Sequence, residues 1–324
     1  MRIALIGQPN AGKSTLFNQV AGYKAETGNF PGTTVTYTES KVRVMGESIE
    51  LVDLPGTYSL SAASMAEQET IRYLASHEVD VIINLLDATH IMQGLGLTME
   101  LLELGRPMVI GMNMMDEAAR LGLTIDGDRL QELLGVPVLP LIANRGRGIQ
   151  RLFTTAFQLA RGKQIPSRLP YKNKVLEQSV QTLASYLEGN KLGWDPEALA
   201  IRLLEDGEHL LEDLEKDFPD LESLIQQQKE TILKEHGNQA EWVFSAERHA
   251  LARELTSKIV IKGEERITWQ TRLDDLMLHP FWGYVIMLVI LWLFFQVVYS
   301  VGSLLEEPLL SVFDAFSQQV ALWI

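Results

Sequence analysis

The stretch GQPNAGKS, Gly7 to Ser14, has the spacing G-x-x-x-x-G-K-[ST], and it follows an apolar run and opens a helical one. Residues of these types at this spacing cradle phosphate. Gly7 and Gly12 let the backbone curl with its N–H groups inward, and Asn10, Ala11 and Thr15 complete the loop. Lys13 reaches the β- and γ-phosphates, Ser14 offers a hydroxyl to Mg²⁺, and the helix N-terminus adds partial positive charge. Two further motifs select the nucleotide and the metal. NMMD, Asn113 to Asp116, ends the strand PMVIGMN. Guanine presents two adjacent donors, N1–H and the 2-amino group, which the Asp116 carboxylate can accept together; adenine lacks that pair. Asn113 and Met114 belong to the same base-contacting set. DLPG, Asp53 to Gly56, ends the strand SIELVDL, so Asp53 can hold Mg²⁺ through water and the Gly56 N–H can touch a γ-phosphate. In NFPGTTV either Thr33 or Thr34 can complete the metal shell with a hydroxyl.

Positioning such groups requires a scaffold with ligands at the carboxyl ends of strands. The expected strands are RIALI, VTYTESKVRVM and SIELVDL with a turn at Gly46–Glu47, VDVIINLLD, PMVIGMN and VPVLPLI. Helices are expected over KSTLFNQVAG and around 65–77, 91–104, 127–134 and 148–161. The alternation predicts an α/β fold, a mostly parallel sheet wrapped by helices with one antiparallel edge strand around 35–45. Pro166 and Pro170 then punctuate a linker, and 171–278 shows helical spacing and no strand pattern. One helix there begins at the cap-then-proline pair Asp195–Pro196. Three units are therefore expected: residues 1–165, a small all-α helical domain at 166–270, and the start of a membrane domain at 271–324.

Composition narrows the function. The chain of 324 residues carries a net charge of −14, which argues against a nucleic-acid partner. It has no cysteine, excluding disulfides, a thiolate nucleophile and Cys-ligated metals. MRIALIGQPN is cut short by Pro9 and Asn10 and is no signal peptide, so the start of the chain is expected in the cytosol.

Pro280 to Leu305 holds no Asp, Glu, Lys or Arg. As a helix it would reach about 39 Å, enough to cross roughly 30 Å of hydrocarbon with tilt or frayed ends. A transmembrane helix is expected over about 280–303, with Trp282, Tyr284 and Tyr299 as interface anchors and Gln296 bonding a neighbouring helix. Lys258, Lys262, Arg266 and Arg272 precede it and Glu306–Glu307 follow, which places residues 1–279 on the cytoplasmic side. EPLLSVFDAFSQQVALWI reads as an interfacial or extracytoplasmic helix after the span, and a single span with nothing compact beyond it suggests the N-terminal part of a longer membrane protein.

The motifs in this order resemble Ras-like P-loop GTPases of the translation-factor-related class. That resemblance assigns the metal to Thr34, the second Thr of the pair, and likens ANRGRG, with Ala143 and Asn144, to a fifth, base-contacting loop, although its usual Ser-Ala-Lys is missing. NMMD also departs from the usual N-K-x-D through Met114. Where Ras has a water-orienting Gln after D-x-x-G, this chain has Thr57, so hydrolysis needs help or is slow. Asn10 resembles the phosphate-loop Asn of K⁺-activated GTPases, whose family pattern completes the K⁺ site with the carbonyls of Gly28 and Phe30. Asn10, Lys13, Thr34 and Gly56 would then carry catalysis.

The whole order, GQPNAGKS, GNFPGTTV, DLPGTYSL, NMMD, RGRGI, a helical domain and a span opening HPFWG, resembles the ferrous iron transport protein B family. The resemblance implies a slow, K⁺-stimulated GTPase of the bacterial inner membrane. GTP or GDP, Mg²⁺ and K⁺ are its cofactors, Fe²⁺ is the transported substrate and a helical domain modulates nucleotide release. It leaves open a homo-oligomer and a small cytosolic accessory protein. Two other readings fit the residues: a membrane-anchored regulatory GTPase that transports nothing, and a non-catalytic GTP/GDP switch. Glu205 and His209 share a helix face at i, i+4, which an acidic solvated helix explains better than iron ligation.

Overall fold

The computed structural model describes the chain except residues 22–25, 30–35, 61–69, 72, 75–78, 163, 193, 206, 208–209, 212–213, 215–216, 264–272, 274–275 and 322–324. Of residue 29 and residues 303–321 it describes the backbone alone. Two compact units result, Met1–Glu265 and Arg266–Ile324.

In the first unit a seven-stranded sheet is built from β1 (Arg2–Gly7), β2 (Glu26–Asn29), β3 (Thr36–Val44), β4 (Glu47–Asp53), β5 (Val81–Asp87), β6 (Met108–Asn113) and β8 (Val138–Pro140). Its order is β2-β3-β4-β1-β5-β6-β8. Pairing is parallel from β4 to β8 and antiparallel along β2-β3-β4. Strand β5 shows why both faces must be covered. Ile82 and Leu86 enter one apolar core while Val81, Ile83 and Leu85 enter the other, as the period of 2 dictates. Helices α1 (Lys13–Ala21) and α5 (Ile149–Gly162) cover the second core. Helices α2 (Ile91–Leu102), α3 (Met115–Arg120) and α4 (Gly127–Leu134) cover the first. Helix α4 starts where the sequence predicts, because the Asp126 side chain accepts from Arg129 N–H at 2.8 Å, and it ends on left-handed Gly135.

The helical part comprises α6 (Lys174–Tyr186), α7 (Pro196–Glu205), α8 (Leu221–His236) and α9 (Ala240–Ile259) around a third core. The Asp195 carboxylate caps α7, accepting from Glu197 and Ala198 N–H at 3.0 and 3.1 Å. Helix α9 belongs to two cores at once. Val243 and Phe244 pack in the helical bundle, while Ala252, Leu255 and Ile259 pack under the sheet.

Four expectations are corrected. The sheet edge is β2 rather than the strand at 35–45, because the polar ETGN segment pairs with β3; the turn between β3 and β4 falls at Met45–Gly46, both at positive φ, rather than at Gly46–Glu47. A short strand β9 (Val260–Lys262) follows α9 and pairs antiparallel with β7 (Leu123–Ile125), so 171–278 is not all helix. Three residues are too few for a readable period, and only a partner from a distant stretch makes them a strand. Finally, α10 (Trp282–Ala321) runs without a break through Glu306–Glu307, where a second, interfacial or extracytoplasmic helix was expected to begin. Trp282–Gly302 is the one helix among the described residues long and apolar enough to cross a membrane, and none of it is buried against protein. The expected helix at 65–77 lies largely outside the described residues.

Candidate functional site

The sheet delivers the expected motifs to one edge. The carboxyl ends of β4, β1, β5 and β6 are Asp53, Gly7, Asp87 and Asn113, and β8 ends at Pro140 just before Ala143. Ligands of open α/β sheets bind at such ends, where the strand order reverses.

Gly12 adopts φ +90, and a Cβ built there would lie 2.4 Å from Asn113 Nδ2, so the loop closes only with glycine. Asn10 is also left-handed, at φ 66, and exposed to solvent with Ser14 and Thr15. Ala11 is buried. Gly56 lies against the loop: a Cβ built on it would stand 3.0 Å from Lys13 Nζ and 3.2 Å from Pro9 Cα. The Thr57 N–H donates to the Gly7 carbonyl at 3.3 Å. DLPG and the phosphate loop thus form one surface.

Lys13 and Asp53 face each other electrostatically. Burial pushes Asp53 up to about 6, with Lys13 opposing, and burial lowers Lys13, with Asp53 opposing. Asp53 Oδ1 is buried and has no hydrogen-bond partner among the described residues. An orphaned buried carboxylate oxygen fits a divalent cation, whose charge would remove the cost of burying the carboxylate. Gly28 stands in the edge strand β2, while Phe30, Thr33 and Thr34 lie outside the described residues.

On the base side, Asn113 is 4% exposed and bonded at both ends. Its Nδ2 donates to the Ala11 carbonyl at 2.9 Å, and its Oδ1 accepts from the Ala143 N–H at 2.9 Å. It therefore bridges the phosphate loop to the loop after β8. Met114 takes φ 61 at the start of α3, turning Asp116 into the first helical turn. Asn144 is exposed. Sequence reading missed Arg145, whose Nη2 lies 3.5 Å from Asp116 Oδ2. Only its position two residues after Ala143 hinted at this. Thr57 is buried, and its hydroxyl donates to the Ser59 carbonyl and accepts the Ser59 N–H at 3.2 Å, a closed local turn. Glu205 does not stand on the solvated acidic face the sequence suggested: its side chain is 8% exposed and held by Arg248 Nη1 at 2.5 Å and Arg202 Nη1 at 3.3 Å, while His209 lies outside the described residues.

A model of the family described as ferrous iron transport protein B matches residues 1–156, and one for the FeoB cytosolic helical domain matches residues 173–261. The cytosolic domain of L. pneumophila FeoB is 34% identical with a TM-score of 0.69, covering 81% of this chain and 100% of that one. This chain belongs to the ferrous iron transport protein B family. Its fold is a Ras-like GTPase domain followed by the FeoB helical domain, with one apolar helix near the C-terminus. The GDP-bound S. thermophilus NFeoB E67A structure has a TM-score of 0.71 at 29% identity, covering 81% of this chain and 100% of its own. The Fe(2+) transporter FeoB of Staphylococcus aureus (strain MSSA476) is 30% identical over 316 residues. That match covers 96% of this chain, which spans about half (46%) of the relative's length. A G domain of the FeoB family implies guanine-nucleotide binding.

Proposed function

We propose that this chain is the GTP-binding and GTP-hydrolysing cytosolic portion, with the first membrane span, of a bacterial Fe²⁺ uptake transporter of the inner membrane. Its working division is a G domain at 1–165, a nucleotide-release-modulating domain at 166–270 and a membrane part from 271, with residues 1–279 in the cytoplasm. The observation that carries the reading is the convergence of the phosphate loop, Asp53 and the Asn113–Asp116 segment at one sheet edge, with Asn113 bonded to both Ala11 and Ala143.

In this reading the loop N–H groups from Asn10 to Thr15, with Lys13, bind the β- and γ-phosphates. Ser14, Thr34 and Asp53 hold Mg²⁺, and Asn10 with the carbonyls of Gly28 and Phe30 holds K⁺. Bound there, the two cations would neutralise charge developing on the phosphoryl oxygens. Gly56 donates its N–H to the γ-phosphate, while Asp116, with Asn113, Met114, Ala143 and Asn144 around it, reads the base. The Thr57 hydroxyl is engaged with Ser59, which supports slow hydrolysis without a side chain orienting the water. Loss of the γ-phosphate would release the segments around 23–36 and 55–66 and pass the change to the membrane part.

The test is GTP hydrolysis by residues 1–270 in K⁺ against Na⁺. Phosphate release is expected to rise on the order of a hundredfold in K⁺, the scale of one preorganised electrostatic stabiliser. Asn10→Ala should abolish that rise and leave GDP affinity intact. Equal rates in both salts would remove K⁺, and with it the role of Asn10, from the mechanism.

A further inference from the structure

The backbone of Leu60 is held at both its N–H and its carbonyl by buried charged groups without a role in the proposed catalytic site. Leu60 is fully buried, four residues beyond Gly56. Its N–H donates to Glu100 Oε2, and the neighbouring Ser59 hydroxyl donates to Glu100 Oε1 at 2.8 Å. Its carbonyl accepts from Arg202 Nη1 at 3.2 Å. Glu100 stands on α2 under the sheet, and Arg202 stands on α7 in the helical bundle.

These bonds are the middle of a longer chain. Toward the phosphates, Ser59 is tied to Thr57, and the Thr57 N–H is tied to Gly7. Away from them, Arg202 reaches Glu205 at 3.3 Å and Glu205 accepts from Arg248 at 2.5 Å. Arg248 in turn donates to Glu103 at 2.6 Å, and Tyr171 O–H also donates to Glu103. Glu100, Glu103, Arg202 and Arg248 are each 5–6% exposed. Burial alone would raise Glu205; Arg248 and Arg202 beside it more than offset that and hold it below the usual carboxylate range. Burial raises Glu100, with Arg248 and Arg202 opposing.

Packing alone does not ask for this arrangement. Apolar residues of similar volume would fill the same space without desolvating five charges. Nor does Leu60 need it for anchoring, since its side chain is already in the core. What the charged groups add is direction: the backbone at Leu60 has one arrangement in which both its N–H and its carbonyl are satisfied, and half of that arrangement is set by the helical bundle. A packed ionic network of this kind moves between discrete arrangements rather than deforming continuously.

We propose that Glu100 and Arg202 are positioning residues for the nucleotide site, clamping Leu60 so that the helical bundle fixes the segment carrying Gly56 and Thr57. The clamp gives the nucleotide-release role proposed above for the helical domain a physical route, through Arg202 and the Leu60 carbonyl. This rests on the guanine-nucleotide reading of the site.

The experiment uses the full chain in detergent micelles with fluorescent mant-GDP. Arg202→Met keeps the stem and removes the donor. Arg202→Lys keeps the charge and one donor to the Leu60 carbonyl. Glu100→Gln keeps the shape but offers one acceptor where two donors point. Arg202→Met and Glu100→Gln are expected to change the mant-GDP release rate by between about 2-fold and 30-fold, the range for residues that carry coupling without touching ligand. Arg202→Lys should restore most of the original rate. A purely structural staple would lower the melting temperature in all three and leave release unchanged where the protein stays folded; that result overturns the proposal. If Arg202→Met does not fold, Glu100→Gln against Arg202→Lys decides by the same rate. Should the unaltered chain bind no mant-GDP, the nucleotide reading itself fails. Should it bind and the variants release at the unaltered rate, the clamp alone fails.

Discussion

Asp116→Ala is expected to erase the preference for guanine over adenine nucleotides. The carboxylate lies in the first turn of α3, partly open to solvent, where Met114 in the left-handed region has turned the chain away from the strand. It is the group that accepts both guanine donors in the proposed site, and adenine offers no such pair. Sites that hydrogen-bond a specific donor reject an analogue lacking it by roughly 10⁴-fold, because the site's own polar groups are left unpaired. Without the carboxylate that discrimination should fall to within about tenfold, while the phosphate loop keeps its hold on either nucleotide. Competition of GDP and ADP against mant-GDP measures it. Equal competition by both in the unaltered protein would refute the base assignment. Arg145 shares the carboxylate at 3.5 Å and is 60% exposed. Removing it should change affinity by less than about 1 kcal/mol, as for other exposed pairs.

Asn113→Ala should cost stability as well as binding. The side chain joins Ala11 to Ala143 from a buried position, so its loss strands one carbonyl and one N–H away from water. Two unsatisfied buried backbone groups amount to roughly 2–6 kcal/mol, or a fall in melting temperature on the order of 5–20 °C for a unit of this size. GDP affinity should drop with it, because the phosphate loop and the base loop lose their common anchor. Asn113→Asp makes the sharper comparison. It keeps an acceptor for the Ala143 N–H but turns an oxygen toward the Ala11 carbonyl, so only half the bridge survives. Asp116→Ala, at a site with no buried partner, should melt within about 0.5 kcal/mol of the original. If Asn113→Ala melts unchanged, the bridge has no part in holding the two loops.

Much of this protein was legible in its residues. The phosphate loop, DLPG and NMMD announce themselves because their chemistry is local: backbone N–H groups, a hydroxyl and a carboxylate must stand a few residues from the end of a strand. The helix after Asp195 was readable for the same reason, since a cap acts over three residues. The apolar helix from Trp282 followed from composition alone.

What the tertiary structure decided are the relations between distant residues. β9 exists because Val260–Lys262 meets Leu123–Ile125, and α9 serves two cores because its two halves face different neighbours. Asn113 became a bridge, Arg145 a partner of Asp116, and Glu100 and Arg202 the two holders of Leu60. Each is a buried or shared polar contact spanning tens of residues or more. Such contacts follow from the need to satisfy every desolvated donor and acceptor in one packed arrangement, a condition with no period or spacing in the sequence to reveal it.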